Sequence, residues 1–254
     1  MAAKYDRPGG PFAPHTGTYY VYSQIGDISY KRVTRTVSVP VSGATMSFWT
    51  SFDTEQDWDF VFVEAHTAGQ NDWTTLPDMN GNTAQATGES CAAGWRDLHP
   101  FLDHYQTLNT TDSTCTPTGT TGAWNAATGN SGGWQQWSVD LAAYAGKSVE
   151  LSISYASDWA TQGLGTFVDD IIVSTGEGTT SFETGFDGWA VTGPPAGSSP
   201  NPNNFIRTTA AGFPEGAVIA TADTLYFGFG FEGITDAAAR NAVMSRAIQY
   251  LLRP

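Results

Sequence analysis

Hydrophobic and polar residues alternate along much of the first 175 residues, which is the pattern of strands that bury one face. The stretch 147–157 is the clearest case, because Val149, Leu151, Ile153 and Tyr155 fall on the same face. Short runs of turn-forming residues separate the alternating stretches. We therefore expect a mainly β chain that forms a sandwich. The predicted strands span residues 18–25, 29–39, 44–52, 58–63, 134–141, 147–157 and 164–173.

Breaks in the alternation divide the chain into parts. Residues 1–17 are rich in Pro and Gly and predict a linker, whereas residues 18–176 hold the sandwich. Within the sandwich, residues 71–133 lack a period and predict a long insertion. Residues 177–254 form a C-terminal appendage, which is either a domain of its own or packed on the sandwich.

The appendage combines a strand pattern with a helix pattern. The strand pattern covers 217–231, and apolar residues then recur at spacings of three and four from 235 to 252. Thr235 is the expected N-cap of this helix. We expect its apolar stripe to pack against a sheet rather than against a membrane or a partner.

The composition favours an extracellular protein that binds no nucleic acid. Charged residues make up 14% of the 254 residues, well below the usual quarter. The formal net charge of −14 would repel a phosphate backbone. No apolar run is long enough to cross a bilayer, so we expect no membrane partner. The first residues lack the apolar segment of a signal peptide, so we expect a secreted chain to be a piece of a longer protein.

The two cysteines, Cys91 and Cys115, both fall in the predicted insertion. Two cysteines in a polar, turn-rich stretch predict one disulfide and hence an oxidising compartment. Two free thiols are the alternative. A zinc site is disfavoured because no paired Cys or His motif lies nearby.

Motifs of hydrolytic enzymes are missing from the sequence. It has neither the nucleophile elbow of α/β-hydrolases nor the H-E-x-x-H helix of zinc peptidases. His99 and His104 are five residues apart around Pro100, which does not place them on one helical face. A paired-carboxylate glycosidase site stays open, because sequence alone does not locate such a pair. We expect the chain itself to be no enzyme.

Two acidic clusters predict a cation site. Asp53, Glu55, Asp57 and Asp59 crowd one turn, and Asp169 and Asp170 interrupt the apolar stretch 167–173. Adjacent strand residues face opposite sides, so one of this pair points inward, where an unpaired charge costs several kcal/mol. Since few Lys and Arg are available, we expect structural calcium, whose ligands are hard oxygens. A carboxylate that caps a turn is the alternative.

Tryptophan is the other candidate for ligand binding. Trp95, Trp124 and Trp134 are possible stacking platforms for a sugar, although core packing is the usual role of Trp in such folds. A carbohydrate-binding module is therefore one alternative function, and a free-standing extracellular hydrolase is another.

An ordered set of segments carries a family resemblance. The segments are YSQIGD at 22–27, TRTVSVP at 34–40, MSFWTSFD at 46–53, DWDFVFVE at 57–64, WQQWSVDLAAYAGK at 134–147, SISY at 152–155 and FVDDI at 167–171. This set resembles the jelly-roll domain downstream of the catalytic domain in immune inhibitor A metallopeptidases, and its DDI ending is similar to MAM domains. Together with GFGFEGI at 228–234 and RNAVMSR at 240–246, the chain resembles the C-terminal region of large secreted actinobacterial zinc carboxypeptidases.

The resemblance implies an antiparallel jelly-roll sandwich that serves an upstream catalytic domain. It implies calcium ligands at Asp57, Asp59 and Asp170, with Glu183 as a weaker candidate. Zinc ligands of such peptidases lie upstream, and no counterpart occurs here. The expected function is a non-catalytic, calcium-stabilised accessory or binding domain of a secreted zinc metallopeptidase, whose partners are the catalytic domain and a protein or polysaccharide substrate.

Overall fold

The computed structural model describes residues 13–210, 218–220, 225–227 and 234–252. The chain divides into two compact units, Met1–Ala210 and Ala211–Pro254. The first unit is built on two antiparallel five-stranded sheets. In spatial order, the first sheet contains β12 (Ile206–Thr209), β1 (Tyr19–Tyr22), β10 (Gly165–Val173), β3 (Thr45–Asp53) and β8 (Gln135–Asp140). The second contains β11 (Ala190–Thr192), β2 (Ser29–Ser38), β9 (Ser148–Ser157), β4 (Phe60–Thr67) and β5 (Thr74–Leu76).

The main core fills the space between the two sheets. Val149, Leu151, Ile153 and Tyr155 of β9 all belong to it, as their period of two predicts. Phe48 of β3 and the other inward residues of the first sheet complete the cluster. The antiparallel sandwich is therefore confirmed, and each predicted strand before residue 175 corresponds to an observed one.

The insertion forms a second hydrophobic cluster on the outer face of the second sheet. Phe60 and Phe62 of β4 point into this cluster, where they contact the ring of Trp124. Val61 and Val63 point the opposite way into the main core. Both faces of β4 are buried for this reason. The short elements of the insertion are α1 (Ser90–Ala93), α2 (Trp95–Leu98), a 3₁₀ helix (Pro100–His104), β6 (Thr107–Asn109) and β7 (Thr114–Thr116).

A disulfide joins Cys91 to Cys115 across a Cα–Cα distance of 6.3 Å, which confirms the predicted pairing. It connects α1 to β7, so it fixes the two ends of the insertion's own small cluster. The alternative of two free thiols is wrong.

The sandwich extends past the predicted boundary at residue 176. β11 pairs with β2, and β12 pairs with β1, so the segment up to Ala210 adds an edge strand to each sheet. Only three and four residues long, these strands are too short to show a period in a loop-rich sequence. The segment 177–210 therefore packs on the sandwich, which is one of the two arrangements considered for the appendage, and the second unit begins at Ala211.

The second unit contains a hairpin and a helix in its described part. β13 (Val218–Ala220) pairs antiparallel with β14 (Leu225–Phe227), and α3 spans Ala237–Leu251. The N-cap is Asp236, whose carboxylate accepts the Ala238 N–H at 2.8 Å, so the predicted cap at Thr235 is wrong by one residue. Among the described helices, none has the length and hydropathy that a bilayer crossing requires.

Candidate functional site

Three carboxylates meet where two paired strands end. Glu55 and Asp59 belong to the turn that precedes β4, and Asp158 directly follows β9. Because β4 and β9 pair with Phe60 opposite Ala156, the two chain segments leave the sheet side by side. One oxygen from each of the three carboxylates lies within 4.8 Å of the other two.

Two of the three carboxylates are buried, and protein donors satisfy them only in part. Asp59 is 1% exposed; the hydroxyl of Tyr155 donates to its Oδ2 at 2.8 Å, and the Asp158 N–H donates to its Oδ1 at 3.1 Å. Asp158 is 5% exposed, and its Oδ1 accepts the Ala160 N–H at 3.3 Å. All of these donors are neutral, so they leave the negative charge of the group uncompensated.

The raised pKa values of the three carboxyl groups reflect their burial and this uncompensated charge. Burial raises the pKa of Asp59 to about 7 against the hydrogen bonds that lower it, and the charges of Asp158 and Glu55 add to the rise. Burial also raises the pKa of Glu55 and of Asp158, and in both the charge of Asp27 contributes. A proton or a bound cation would therefore relieve the burial and repulsion that raise these three pKa values.

The nearest buried cation does not neutralise the group. The Lys31 Nζ donates to the Ser23 carbonyl at 2.9 Å, to the Gln24 carbonyl at 3.0 Å and to the Asn203 Oδ1 at 2.6 Å. Within the described ranges, no Lys or Arg forms a salt bridge with any of the three carboxylates. The Oδ1 of Asp27 is likewise buried without a hydrogen-bond partner among the described residues.

The arrangement fits a hard divalent cation. Calcium binds oxygens at ~2.3–2.6 Å, so two ligands of one ion lie at most about 5 Å apart. The oxygens of Glu55, Asp59 and Asp158 meet that limit. Their negative charges repel one another unless a cation or a proton binds to the group.

Two members of this group, Glu55 and Asp59, belong to the acidic turn that the sequence singled out as a cation site, and of the individually predicted ligands only Asp59 is in the group. Asp53 instead accepts the Asn130 side-chain amide at 3.0 Å. Asp57 has a positive φ of 67° and accepts the Gln56 side-chain amide at 3.0 Å, while its own carbonyl receives the N–H of Glu89. Both carboxylates thus bond to side-chain amides rather than to the group of three.

Asp169 and Asp170 hold the segment that precedes β1. The His15 N–H donates to Asp169 Oδ2 at 2.9 Å, and the His15 ring bonds to Asp170 Oδ2 at 2.6 Å through Nδ1. The hydroxyl of Thr16 donates to the same Asp170 carboxylate. Glu183 acts similarly, since its Oε1 accepts the N–H groups of residues 18 and 19. The predicted convergence of Asp170 with Asp57 and Asp59 on one ion is therefore wrong, because the two acidic clusters serve separate parts of the sandwich.

The tryptophans predicted as stacking platforms are largely unavailable. Trp95 and Trp124 are fully buried in the insertion's cluster, so the prediction that they stack on a ligand is wrong. Trp134 is half-buried; its indole N–H donates to the Ala13 carbonyl at 3.2 Å, and its ring packs edge-on against His15. Trp95 and Trp124 thus fill a hydrophobic core, which is the usual role of Trp in such folds.

Sequence reasoning missed Asp158. It lies about a hundred positions from Glu55 and Asp59, and only the pairing of β4 with β9 brings the three together. The one available signal was its position directly after a strongly alternating strand.

A separate cleft of about 360 Å³ opens beside the carboxylate turn. Its rim carries the side-chain amides of Gln56, Asn82, Asn130 and Gln135, and Phe52 contributes to its floor. The Oε1 of Gln135 is buried and has no hydrogen-bond partner among the described residues. The cleft therefore offers amide donors and acceptors to a ligand, together with the carboxylate of Asp57.

Comparison with known proteins adds no identification. No protein-family model matches the sequence, and no curated protein shows significant similarity to it. The functional conclusions therefore depend on the chain's own geometry and on the local resemblance of its motifs.

Proposed function

We propose that this chain is a non-catalytic, calcium-stabilised jelly-roll domain that serves a secreted zinc metallopeptidase as an accessory or binding module. The observation that carries the proposal is the group formed by Glu55, Asp59 and Asp158, two of them buried and with no cationic partner among the described residues. Such a group suits a structural calcium ion that ties the β3–β4 turn to the end of β9.

The strand order supports the jelly-roll assignment. Without the edge strands β11 and β12, the two sheets of the first unit contain eight strands, four in each sheet. Counted in chain order, one sheet holds the first, eighth, third and sixth of them, and the other holds the second, seventh, fourth and fifth. A long antiparallel ribbon that wraps once into two sheets produces this order.

The disulfide and the surface composition support an extracellular location. Disulfides persist in oxidising compartments, and Cys91–Cys115 joins two parts of an insertion that has a small core of its own. The link to a peptidase, with its upstream catalytic domain as partner and its protein or polysaccharide substrate as ligand, is carried by the motif resemblance.

Calcium binding is the direct test of this proposal. Chelator-treated protein is titrated with Ca²⁺ and with Mg²⁺ by calorimetry, and its melting temperature is measured with and without excess Ca²⁺. We expect one Ca²⁺ site whose occupation raises the melting temperature. Asp158→Asn should abolish binding, whereas Asp53→Asn, which alters the same turn outside the group, should retain it. Equal binding by both variants, or no binding by the unaltered protein, would exclude the site.

A carbohydrate-binding role is the second candidate, and the amide-rimmed cleft favours it. Side-chain amides pair with sugar hydroxyls, and the cleft's lining, which has the carboxylate of Asp57 but no Lys or Arg, suits a polysaccharide without anionic groups. Affinity electrophoresis in gels that contain a soluble β-glucan or mannan tests this role. Retardation that Gln135→Ala removes and Gln136→Ala preserves would support it, because Gln136 is the exposed neighbour of Gln135 outside the cleft. Unchanged mobility in every gel would reject it.

A further inference from the structure

Lys31 is unusual for a lysine of the sandwich because its side chain is buried. It lies in β2 with its side chain fully buried, and its Nζ contacts the loop that precedes β12. There it lies 2.6 Å from the Oδ1 of Asn203. A buried primary amine in contact with a side-chain amide is a pair of groups that can react with each other.

The amide of Asn203 is fixed on both of its polar atoms. Its Oδ1 accepts from Lys31, and its Nδ2 donates to the Ile25 carbonyl at 2.7 Å. The backbone at Gly26 packs closely against this pair, because a Cβ added there would lie 2.9 Å from the Pro202 ring and 3.2 Å from the Lys31 Nζ. This close packing holds the loop in place. The amide therefore has no freedom to turn away from the amine.

We propose that Lys31 and Asn203 join in an intramolecular isopeptide bond. The lone pair of the neutral Lys31 amine attacks Cγ of Asn203, and a proton of that amine passes to the Asn203 nitrogen. The Cγ–Nδ2 bond then breaks and one molecule of ammonia leaves. The products are a secondary amide between the two side chains and free ammonia, so the step needs no oxidant and no further reactant.

The contact distance places the amine close to the geometry of attack. With a C=O bond of ~1.2 Å and a hydrogen-bond angle near 120°, Nζ lies about 3.4 Å from Cγ. Near-attack conformers have reacting atoms ~3–3.5 Å apart and aligned orbitals. The observed contact supplies the distance, and the amine must turn its lone pair towards the face of Cγ before it attacks. Holding the two groups together lowers the entropic part of the barrier to their reaction.

Burial also favours the reactive form of the amine. It lowers the pKa of Lys31 to about 8, although the charge of Asp59 acts in the opposite direction. About a tenth of such an amine is neutral at pH 7, hundreds of times more than for an exposed lysine. Bond formation also removes the cost of a buried ammonium, while the new amide N–H can donate to one of the carbonyls of Ser23 and Gln24.

The bond would close the sandwich covalently. It would connect β2 to the loop between β11 and β12, the two edge strands contributed by the last part of the first unit. The segment that adds those strands would then stay attached even when its few hydrogen bonds open. This inference is independent of the calcium site.

Mass spectrometry of the unaltered, reduced protein tests the proposal. We expect an intact mass lower than the sequence mass by one ammonia, no tryptic cleavage after Lys31, and a branched peptide that contains Lys31 and Asn203. Loss of ammonia alone is insufficient, because an Asn-Gly pair such as Asn80–Gly81 loses the same mass on forming a succinimide. The branched peptide distinguishes the two.

Variants give the second measurement. Lys31→Met and Asn203→Ala should each restore the missing ammonia mass, whereas Asn201→Ala, in the same loop, should leave the mass deficit in place. An unaltered protein with the full sequence mass, or with a Lys31 that trypsin cleaves normally, would overturn the proposal whether or not the variants fold.

Discussion

Replacing Asp59 by Asn should remove much of the pH dependence of stability in the calcium-free protein. The folded-state pKa of Asp59 is about 7, against an ordinary value of 3.8. Because the folded state binds this proton more tightly than the unfolded state, the contribution of Asp59 to the free energy of unfolding is fully present below pH 4 and is lost as the pH rises towards 7. A difference of three pKa units corresponds to about 4 kcal/mol.

Urea unfolding at several pH values in the presence of a chelator measures this effect. The unaltered protein should lose on the order of 4 kcal/mol more than Asp59→Asn between pH 4 and pH 8, since the amide of the variant does not ionise. The contributions of Glu55 and Asp158, and the opposite contribution of His99, occur in both proteins. Asp53→Asn is the control and should behave like the unaltered protein.

Calcium supplies the complementary measurement at pH 8. An ion at a hundred times its dissociation constant should restore about 2.7 kcal/mol to the unaltered protein and nothing to Asp59→Asn. If Asp59→Asn shows the same decline with pH as the unaltered protein, or the same gain with calcium, then Asp59 is not the group that carries the uncompensated charge and the reasoning fails.

Three further predictions concern the insertion. Cys115→Ser should lower the free energy of unfolding by about 3 kcal/mol by opening the link to Cys91, and a reducing agent should then no longer affect the variant's denaturation. Burial lowers the pKa of His99 to about 4, so the unfolded state binds its proton more tightly and the contribution of His99 to stability should decline by roughly 3 kcal/mol as the pH falls from 6.5 to 4; over that range His99→Gln should gain about that much stability relative to the unaltered protein. Gly88→Ala should cost roughly 3 kcal/mol by thermal denaturation, since its Cβ would lie 2.2 Å from a backbone carbonyl, whereas Gly81→Ala, which also has positive φ but open space, should cost about 1 kcal/mol. Equal losses for the two glycine variants would contradict the steric argument.

Local periodicity was sufficient to predict the long strands but not the layer that covers them. In β9, one face is apolar throughout, and alternation identifies both the strand and its inner face. In β4, both faces are apolar, and the reason is the insertion packed over Phe60 and Phe62. A sequence without a period gives no sign of its own packing, so residues 71–133 were predicted only as an insertion.

The candidate site was predictable only in the part that is local in sequence. The density of acidic residues before β4 identified Asp59, but it also selected Asp53 and Asp57, whose side chains point to other partners. Which carboxylates converge depends on strand pairing over long separations, and the register of β4 against β9 brings in Asp158. Asp170 was selected for its position in an apolar strand, yet its partners are in the segment that precedes β1, where no sequence pattern predicted a docking contact.

The charge balance of the sandwich links the site to its surroundings. The charge of Asp59 acts on the buried Lys31, but the Lys31 Nζ donates to carbonyl and amide oxygens. Neutralisation of Glu55, Asp59 and Asp158 must therefore come from protons or from an ion. Protons serve this purpose only below about pH 7, the pKa of Asp59. Above it we propose that a divalent cation takes over this role, so the stabilisation by added Ca²⁺ should increase as the pH rises through 7.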